Sequence, residues 1–110
     1  MMDIGVDDMN NTKKDTISII ELTLKSYNSY SQALYHAKHG QDKEFEYYSQ
    51  RGDKLLLQAS RIHAKMLSDN IEVELLLVHA EDLLISVQLY KSMIKELLAF
   101  YTQFPTLKGN

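Results

Sequence analysis

One histidine and one aspartate stand one helical turn apart inside a strongly apolar stretch of this sequence. The run from Leu75 to Ile85 contains His79 and Asp82. A helix that is apolar on nearly every side is normally buried on every side, and a buried ionisable group needs a partner or a chemical role. Neutral imidazole is a good nucleophile toward phosphorus near neutral pH. We therefore predict that His79 accepts a phosphoryl group and that Asp82 lies in a buried subunit contact.

Spacing alone leaves another interpretation open. His79 could be a half-buried interface histidine bonded to a carbonyl group or a neighbour, and Asp82 one half of an interface polar pair. The pair lacks the second histidine of a HExxH zinc helix. Repeated Glu-x-x-His motifs are also missing, so a four-helix metal protein is poorly supported. The remaining histidines, His36, His39 and His63, fit exposed or helix-capping positions.

The composition indicates a single domain made of a few long helices. The chain has 110 residues, of which 45% are apolar, with one proline and four glycines. It has no cysteine, which excludes a disulfide scaffold, a thiol nucleophile and cysteine-based zinc sites. The net charge of −3 predicts no basic face and argues against nucleic acid as a partner. No signal peptide and no apolar run of roughly 20 residues is evident, so we expect a cytoplasmic protein.

Steps of three and four between apolar residues predict the first two helices. Residues 1–15 are polar and acidic without a sustained period, which predicts a disordered tail. The first helix should run from near Thr16 to Gly40, with an apolar stripe of Ile17, Ile20, Leu24, Tyr27, Ser31 and Leu34. The second should begin with Asp42 as its N-cap and end near Leu67, with a stripe of Phe45, Tyr48, Gly52, Leu55, Ala59, Ile62 and Met66. Small side chains at Gly52 and Ala59 predict a close helix contact.

The third helix should run from about Ile71 to Phe104 and stop before Pro105, which gives a domain over 16–104 and a tail over 105–110. Asp69 and Glu72 resemble a capping box at its start. Its predicted core stripe is Val73, Leu76, Ala80, Leu83, Val87, Tyr90, Ile94, Leu97, Tyr101 and Phe104. A three-helix protomer would then leave several other apolar side chains in water, namely those of Leu75, Leu77, Val78, Leu84 and Ile85. Exposed apolar surface of that extent marks an interface, so we expect a closed homo-oligomer.

The run from Val73 to Ile85 resembles the signature of the lactose/cellobiose-type enzyme IIA of the bacterial phosphoenolpyruvate-dependent sugar phosphotransferase system, whose core reads roughly LLLVHAQDHLM. Weaker support comes from residues 28–34, 37–40 and 59–67, so that the resemblance covers 16–104. It implies an all-α fold, an antiparallel three-helix bundle that assembles as a cytoplasmic homotrimer of nine helices.

The resemblance also implies a role for each residue of the pair. His79 would accept a phosphoryl group from phospho-HPr and pass it to a cysteine of the IIB protein, for uptake of a β-linked disaccharide through the membrane component IIC. Three copies of Asp82 would bind one divalent ion, Mg²⁺, on the threefold axis. This agrees with the physical argument, because three converging carboxylates repel one another unless a cation or protons neutralise them.

The sequence departs from the family pattern at four places. Leu83 stands where the family usually has a second histidine, Glu81 replaces the usual glutamine, and Tyr27 replaces a common glycine. The turn at 68–70 is shorter than is typical. These departures favour one alternative function, a catalytically inactive or regulatory trimeric bundle derived from the same family.

Overall fold

The computed structural model describes residues 5–69 and 74–103, which form three long α-helices. They are α1 (Gly5–Lys38), α2 (Asp42–Ser68) and α3 (Leu75–Gln103). The predicted all-helical class is confirmed, and the described residues contain no strand. The bundle is 67 Å long and 18 Å thick. The predicted capping box at Glu72 and the predicted helix end at Phe104 lie outside the described residues.

Helix α1 begins well before the expected position. The prediction of a disordered tail over residues 1–15 is wrong for residues 5–15, which are helical. Extending an existing helix fixes one residue for each hydrogen bond gained, so polar residues can continue a helix that starts downstream. Thr16 is buried, and its hydroxyl donates to the Thr12 carbonyl over 2.8 Å. Composition alone therefore underestimated the helix.

The turn between α1 and α2 is closed by Gly40, as predicted. Gly40 has a φ of 69°, a value that favours glycine. The Gln41 N–H donates to the His36 carbonyl over 2.9 Å and the Gly40 N–H to the Ala37 carbonyl over 3.2 Å, which is the Schellman pattern. The predicted N-cap is wrong by one residue, because Gln41 precedes the helix and Asp42 is its first residue. In the first turn an aspartate still favours the positive end of the helix dipole.

The buried face of α1 is not the predicted apolar stripe. Ile17, Leu24 and Tyr27 of that stripe are exposed. Small and hydroxyl side chains are buried instead and leave room for the backbone of a neighbouring helix: the buried row is Thr16, Ile19, Thr23, Ser26, Tyr30, Ala33 and Ala37. The Ser26 hydroxyl donates to the Gly52 carbonyl of α2 over 2.8 Å. Ile17, Leu24 and Tyr27 consequently lie on the outer surface of the protomer.

The predicted close approach at α2 is confirmed. Gly52, Ala59 and Met66 are buried, and the rest of the predicted stripe is half-buried. A Cβ atom at Gly52 would lie 2.6 Å from Cε1 of Tyr30, which no real packing allows. Only glycine therefore fits beneath this ring.

The core of α3 agrees with the predicted stripe at three of its described positions. Ala80, Val87 and Ile94 are buried as predicted. The expectation that Leu77 and Leu84 face outward is wrong, because they are only 1% and 4% exposed. The reason is that α3 packs chiefly on α1 and touches α2 at few points. The buried face of α3 is therefore shifted by one residue here, from the predicted Leu76 and Leu83 to Leu77 and Leu84.

A polar cluster joins all three helices near the middle of the bundle. The hydroxyl of Tyr30 donates to Oδ1 of Asp53 over 2.5 Å, and Nζ of Lys91 lies 3.3 Å from the same oxygen. Burial, and then the bond to Asp53, raise the pKa of Tyr30 above its usual range. Among the described residues no helix is long and apolar enough to cross a membrane.

Candidate functional site

His79 and Asp82 lie in the first two turns of α3, and both side chains are exposed on the protomer. Ala80, between them, is fully buried against the core. The helix therefore turns its Ala80 side inward and presents His79 and Asp82 outward, one turn apart. Neither residue belongs to the core stripe predicted for the third helix, and their outward position agrees with that stripe.

An exposed apolar row surrounds Asp82 on the same side of α3. We call it the outer row, and it consists of Leu75, Val78, Ile85, Leu89 and Met93. Leu75 is 85% exposed and Leu89 62%. Asp82 lies within this row, four residues after Val78 and three before Ile85. A contiguous apolar surface usually marks an interface. The Asp82 carboxylate, which lies between Val78 and Ile85, is therefore expected to lie in a contact with another chain.

Glu81 is held on a different flank of α3, at α2. Its Oε2 lies 2.8 Å from Nε2 of His63. The prediction that His63 is exposed or caps a helix is wrong, because it is half-buried in this contact between helices. The Glu81 carboxylate is thereby held away from His79, as the two-residue spacing predicts. Only the antiparallel register of α2 and α3, which periodicity does not give, could have revealed this pair.

The opposite flank of α3 faces α1 and is aromatic. The Tyr90 ring stacks on Tyr27 with 4.9 Å between centroids, and the Tyr90 hydroxyl lies 3.0 Å from the Ser31 hydroxyl. Leu83 is half-buried and offers no hydrogen-bonding group. Within the protomer, His79 thus has no ionisable neighbour at the position where the signature usually has a second histidine.

The residues of this site fall within a stretch of sequence that matches a known family. The chain matches the family model described as PTS system, Lactose/Cellobiose specific IIA subunit over residues 15–102. The chain belongs to this family. It matches no curated protein and no solved structure. The matched span includes both His79 and Asp82, so this chain is a IIA component of a sugar phosphotransferase system.

The other two histidines of this IIA chain lie at the turn between α1 and α2. Nδ1 of His39 lies 2.7 Å from the Tyr35 carbonyl, which fits the predicted capping position. The His36 ring stacks on Tyr48, and its Nδ1 lies 2.5 Å from the side-chain oxygen of Gln41. Both rings are therefore engaged far along the chain from His79.

A metal ion needs more ligands than one IIA protomer supplies at Asp82. Divalent ions such as Mg²⁺ bind several oxygen atoms. Over residues 11–69 and 74–100, whose side chains the structure describes, no group of three or more histidine, cysteine, aspartate or glutamate side chains could hold a metal. Asp82 offers one carboxylate, so it fits a metal only where other copies of the chain bring theirs to the same point.

Proposed function

We propose that this IIA chain is a cytoplasmic phosphocarrier. It accepts a phosphoryl group from phospho-HPr on His79 and passes it to a cysteine of IIB, for uptake of a β-linked disaccharide through IIC. The observation that supports this most is the exposed imidazole of His79, fixed by a helix whose neighbouring Ala80 is fully buried, within the span that matches the family.

The transfer consists of two in-line displacements. A neutral ring nitrogen of His79 attacks the phosphorus of phospho-HPr, so that a new phosphorus–nitrogen bond forms as the bond to HPr breaks. The IIB thiolate then attacks the same phosphorus, a phosphorus–sulfur bond forms, and neutral His79 is released. Such transfers depend mainly on positioning and charge stabilisation. An exposed position gives two different partners access to the same ring.

The proposal includes a homotrimer. The outer row on α3 and the exposed Ile17, Leu24 and Tyr27 on α1 provide apolar surface on two helices of one protomer. A closed cyclic assembly covers such surface without leaving an open end. Three protomers of three helices each would form a nine-helix bundle, with α3 inside it.

In this assembly Asp82 has a structural role. Its place within the outer row brings three symmetry-related carboxylates together in an apolar contact. Like charges in such a setting repel strongly unless a cation or protons neutralise them. Mg²⁺ prefers carboxylate and water oxygens and would supply this neutralisation.

Incubation with phosphoenolpyruvate, enzyme I and HPr tests the carrier function. We expect an acid-labile, base-stable phosphate on the wild-type chain and none on His79→Ala. His39→Ala is the matched control, because His39 is an exposed histidine outside the site, and it should label like the wild type. An unlabelled wild type, or a label that survives His79→Ala, would overturn the proposal.

The second candidate function is a catalytically inactive or regulatory trimeric bundle. Two observations favour it: Leu83 offers no hydrogen-bonding group, and Glu81 is bound to His63. This alternative predicts normal assembly without phosphate uptake. The labelling experiment, run beside a measurement of the oligomeric state, therefore separates the two functions.

A further inference from the structure

The solvent-facing side of α2 carries a row of cations. Starting at Arg51, steps of three and four reach Lys54, Gln58, Arg61 and Lys65, all of which are exposed. We call these five residues the basic stripe. The row spans roughly 21 Å at 1.5 Å per residue. The expectation from net charge that the chain has no basic face is therefore wrong at this surface.

No acidic side chain interrupts the basic stripe. Between Tyr47 and Ser68 the only acidic residue of α2 is Asp53. Its carboxylate is directed to the other helices, where it binds Tyr30 and Lys91. The ion pairs of His63 with Glu81 and of Lys91 with Asp53 involve no cation of the stripe. Four positive charges thus face solvent together on a chain whose net charge is −3.

An apolar edge runs beside the basic stripe. Leu57 and Ala64 follow Lys54 and Arg61 by three residues each, and both are exposed. Leu57 is 50% exposed. Clustered Lys and Arg side chains are attracted to anionic membrane surfaces, and neighbouring apolar side chains add buried area to that attraction.

We propose that the basic stripe binds the surface of a membrane containing anionic phospholipids, with α2 lying along the headgroups. The stripe is straight, and mobile headgroups can gather beneath each cation without a matching protein shape. The negative charges elsewhere on the chain weaken this attraction only slightly, because the bundle is 18 Å thick and the Debye length is about 8 Å at physiological ionic strength.

An acidic protein surface is the competing partner, and the structure favours it less. Stable protein interfaces usually contain buried aromatic anchors. The stripe and its apolar edge contain no aromatic residue between Arg51 and Lys65. Leu57 and Ala64 are also too small a patch for a hydrophobic interface core. Weak, salt-dependent attraction to many lipid headgroups requires neither feature.

Co-sedimentation with vesicles tests the proposal on the full-length chain. The vesicles contain equal parts of phosphatidylcholine and phosphatidylglycerol, and vesicles of pure phosphatidylcholine serve as the neutral comparison. Each cation near an anionic surface strengthens partitioning by roughly fivefold. We expect Arg61→Gln to weaken binding to the anionic vesicles by about that factor, and the variant R51Q/K54Q/R61Q/K65Q to lose it.

The matched control is K13Q/K14Q/K25Q/K95Q, which removes four exposed cations from α1 and α3. Both quadruple variants lower the net charge by the same amount. The control should keep most of its vesicle binding, whereas about 1 M salt, with a Debye length of about 3 Å, should abolish binding of every variant. Circular dichroism confirms that each variant is folded.

Three results would overturn the proposal. They are no preference of the wild type for the anionic vesicles, unchanged binding by the folded stripe variant, or an equal loss in the control. Binding to an acidic protein or to duplex DNA without vesicle binding would assign the stripe to that partner instead. The proposal is independent of the phosphocarrier function, because His79 labelling is measured without vesicles and should be normal in both quadruple variants.

Discussion

Gly52 is the position where the packing of α1 against α2 can be tested most directly. We predict that Gly52→Ala destabilises the chain. The added Cβ would lie 2.6 Å, 2.8 Å and 2.9 Å from three atoms of the Tyr30 ring. That ring is 1% exposed, and its hydroxyl is bound to Asp53, so it has little freedom to move. Overpacking of this kind costs about 1–3 kcal/mol.

A gain in helix propensity acts in the opposite direction. Alanine is more favourable than glycine inside a helix by about 1 kcal/mol. Because the clash involves a fixed ring, we place its cost in the upper half of the range and expect a net loss of roughly 1–2 kcal/mol. Urea unfolding followed by circular dichroism measures this difference from the shift in midpoint.

The same substitution in a Tyr30→Leu background decides whether the ring is the cause. Without the ring the clash is relieved, and Gly52→Ala should become neutral or stabilising by up to about 1 kcal/mol. The destabilisation therefore disappears or changes sign in the Tyr30→Leu background. A stabilising Gly52→Ala in the wild type, or an equal effect in both backgrounds, would refute this account of the helix contact.

Three further predictions concern the polar contacts of the bundle. Because the pKa of Tyr30 is raised in the folded chain, its contribution to stability is complete below about pH 10 and is lost as the pH rises further. Tyr30→Phe should therefore reduce the loss of unfolding free energy at alkaline pH, whereas Tyr35→Phe should not. Asp82→Leu should retain or strengthen self-association in sedimentation experiments and remove its dependence on divalent metal; a wild type that is monomeric at micromolar concentration would contradict the trimer. A double-mutant cycle of His63→Ala and Glu81→Ala should give a coupling of at most about 1 kcal/mol, since the pair is only half-buried.

Much of the fold could be predicted because its signals are local. Glycine commonly ends a helix where the backbone needs a positive φ. Gly40 has such a φ, and the hydrogen bonds of its turn match that expectation. Gly52 and Ala59, spaced seven apart among larger apolar residues, indicated a close contact that the structure confirms. The outward position of His79 and Asp82 followed from the phase of α3, which was correct at Ala80, Val87 and Ile94.

The buried face of α1 could not be predicted, because the pattern of apolar residues selects a stripe of which part is exposed. Several of its large apolar side chains, such as those of Ile17 and Leu24, are exposed, while Thr23 and Ser26 are buried. Small hydroxyl residues are favoured there by the close approach of α2, a property of the helix pair and not of α1 alone. Pairs that depend on register, such as His63 with Glu81, were missed for the same reason.

The burial of hydroxyl side chains and the exposure of apolar ones bear on whether the protomer is stable alone. Neither the buried hydroxyl of Thr23 nor that of Ser29 has a protein hydrogen-bond partner among the described residues. Such a group costs about 1–3 kcal/mol unless water or another chain satisfies it. The outer row meanwhile keeps apolar area out of the core. We therefore predict that most of the stability comes from association.

A protein stabilised by association has a melting temperature that rises with protein concentration. Melting curves recorded over about two orders of magnitude in concentration should therefore shift upward together with the trimer fraction. Ile85→Ser, in the middle of the outer row, should weaken both, because it removes apolar contact area from the interface. Leu57→Ser is the control, since Leu57 is similarly exposed but lies on α2. A melting temperature independent of concentration would show that the hydroxyl-rich core of one protomer is sufficient, and that the outer row has another partner.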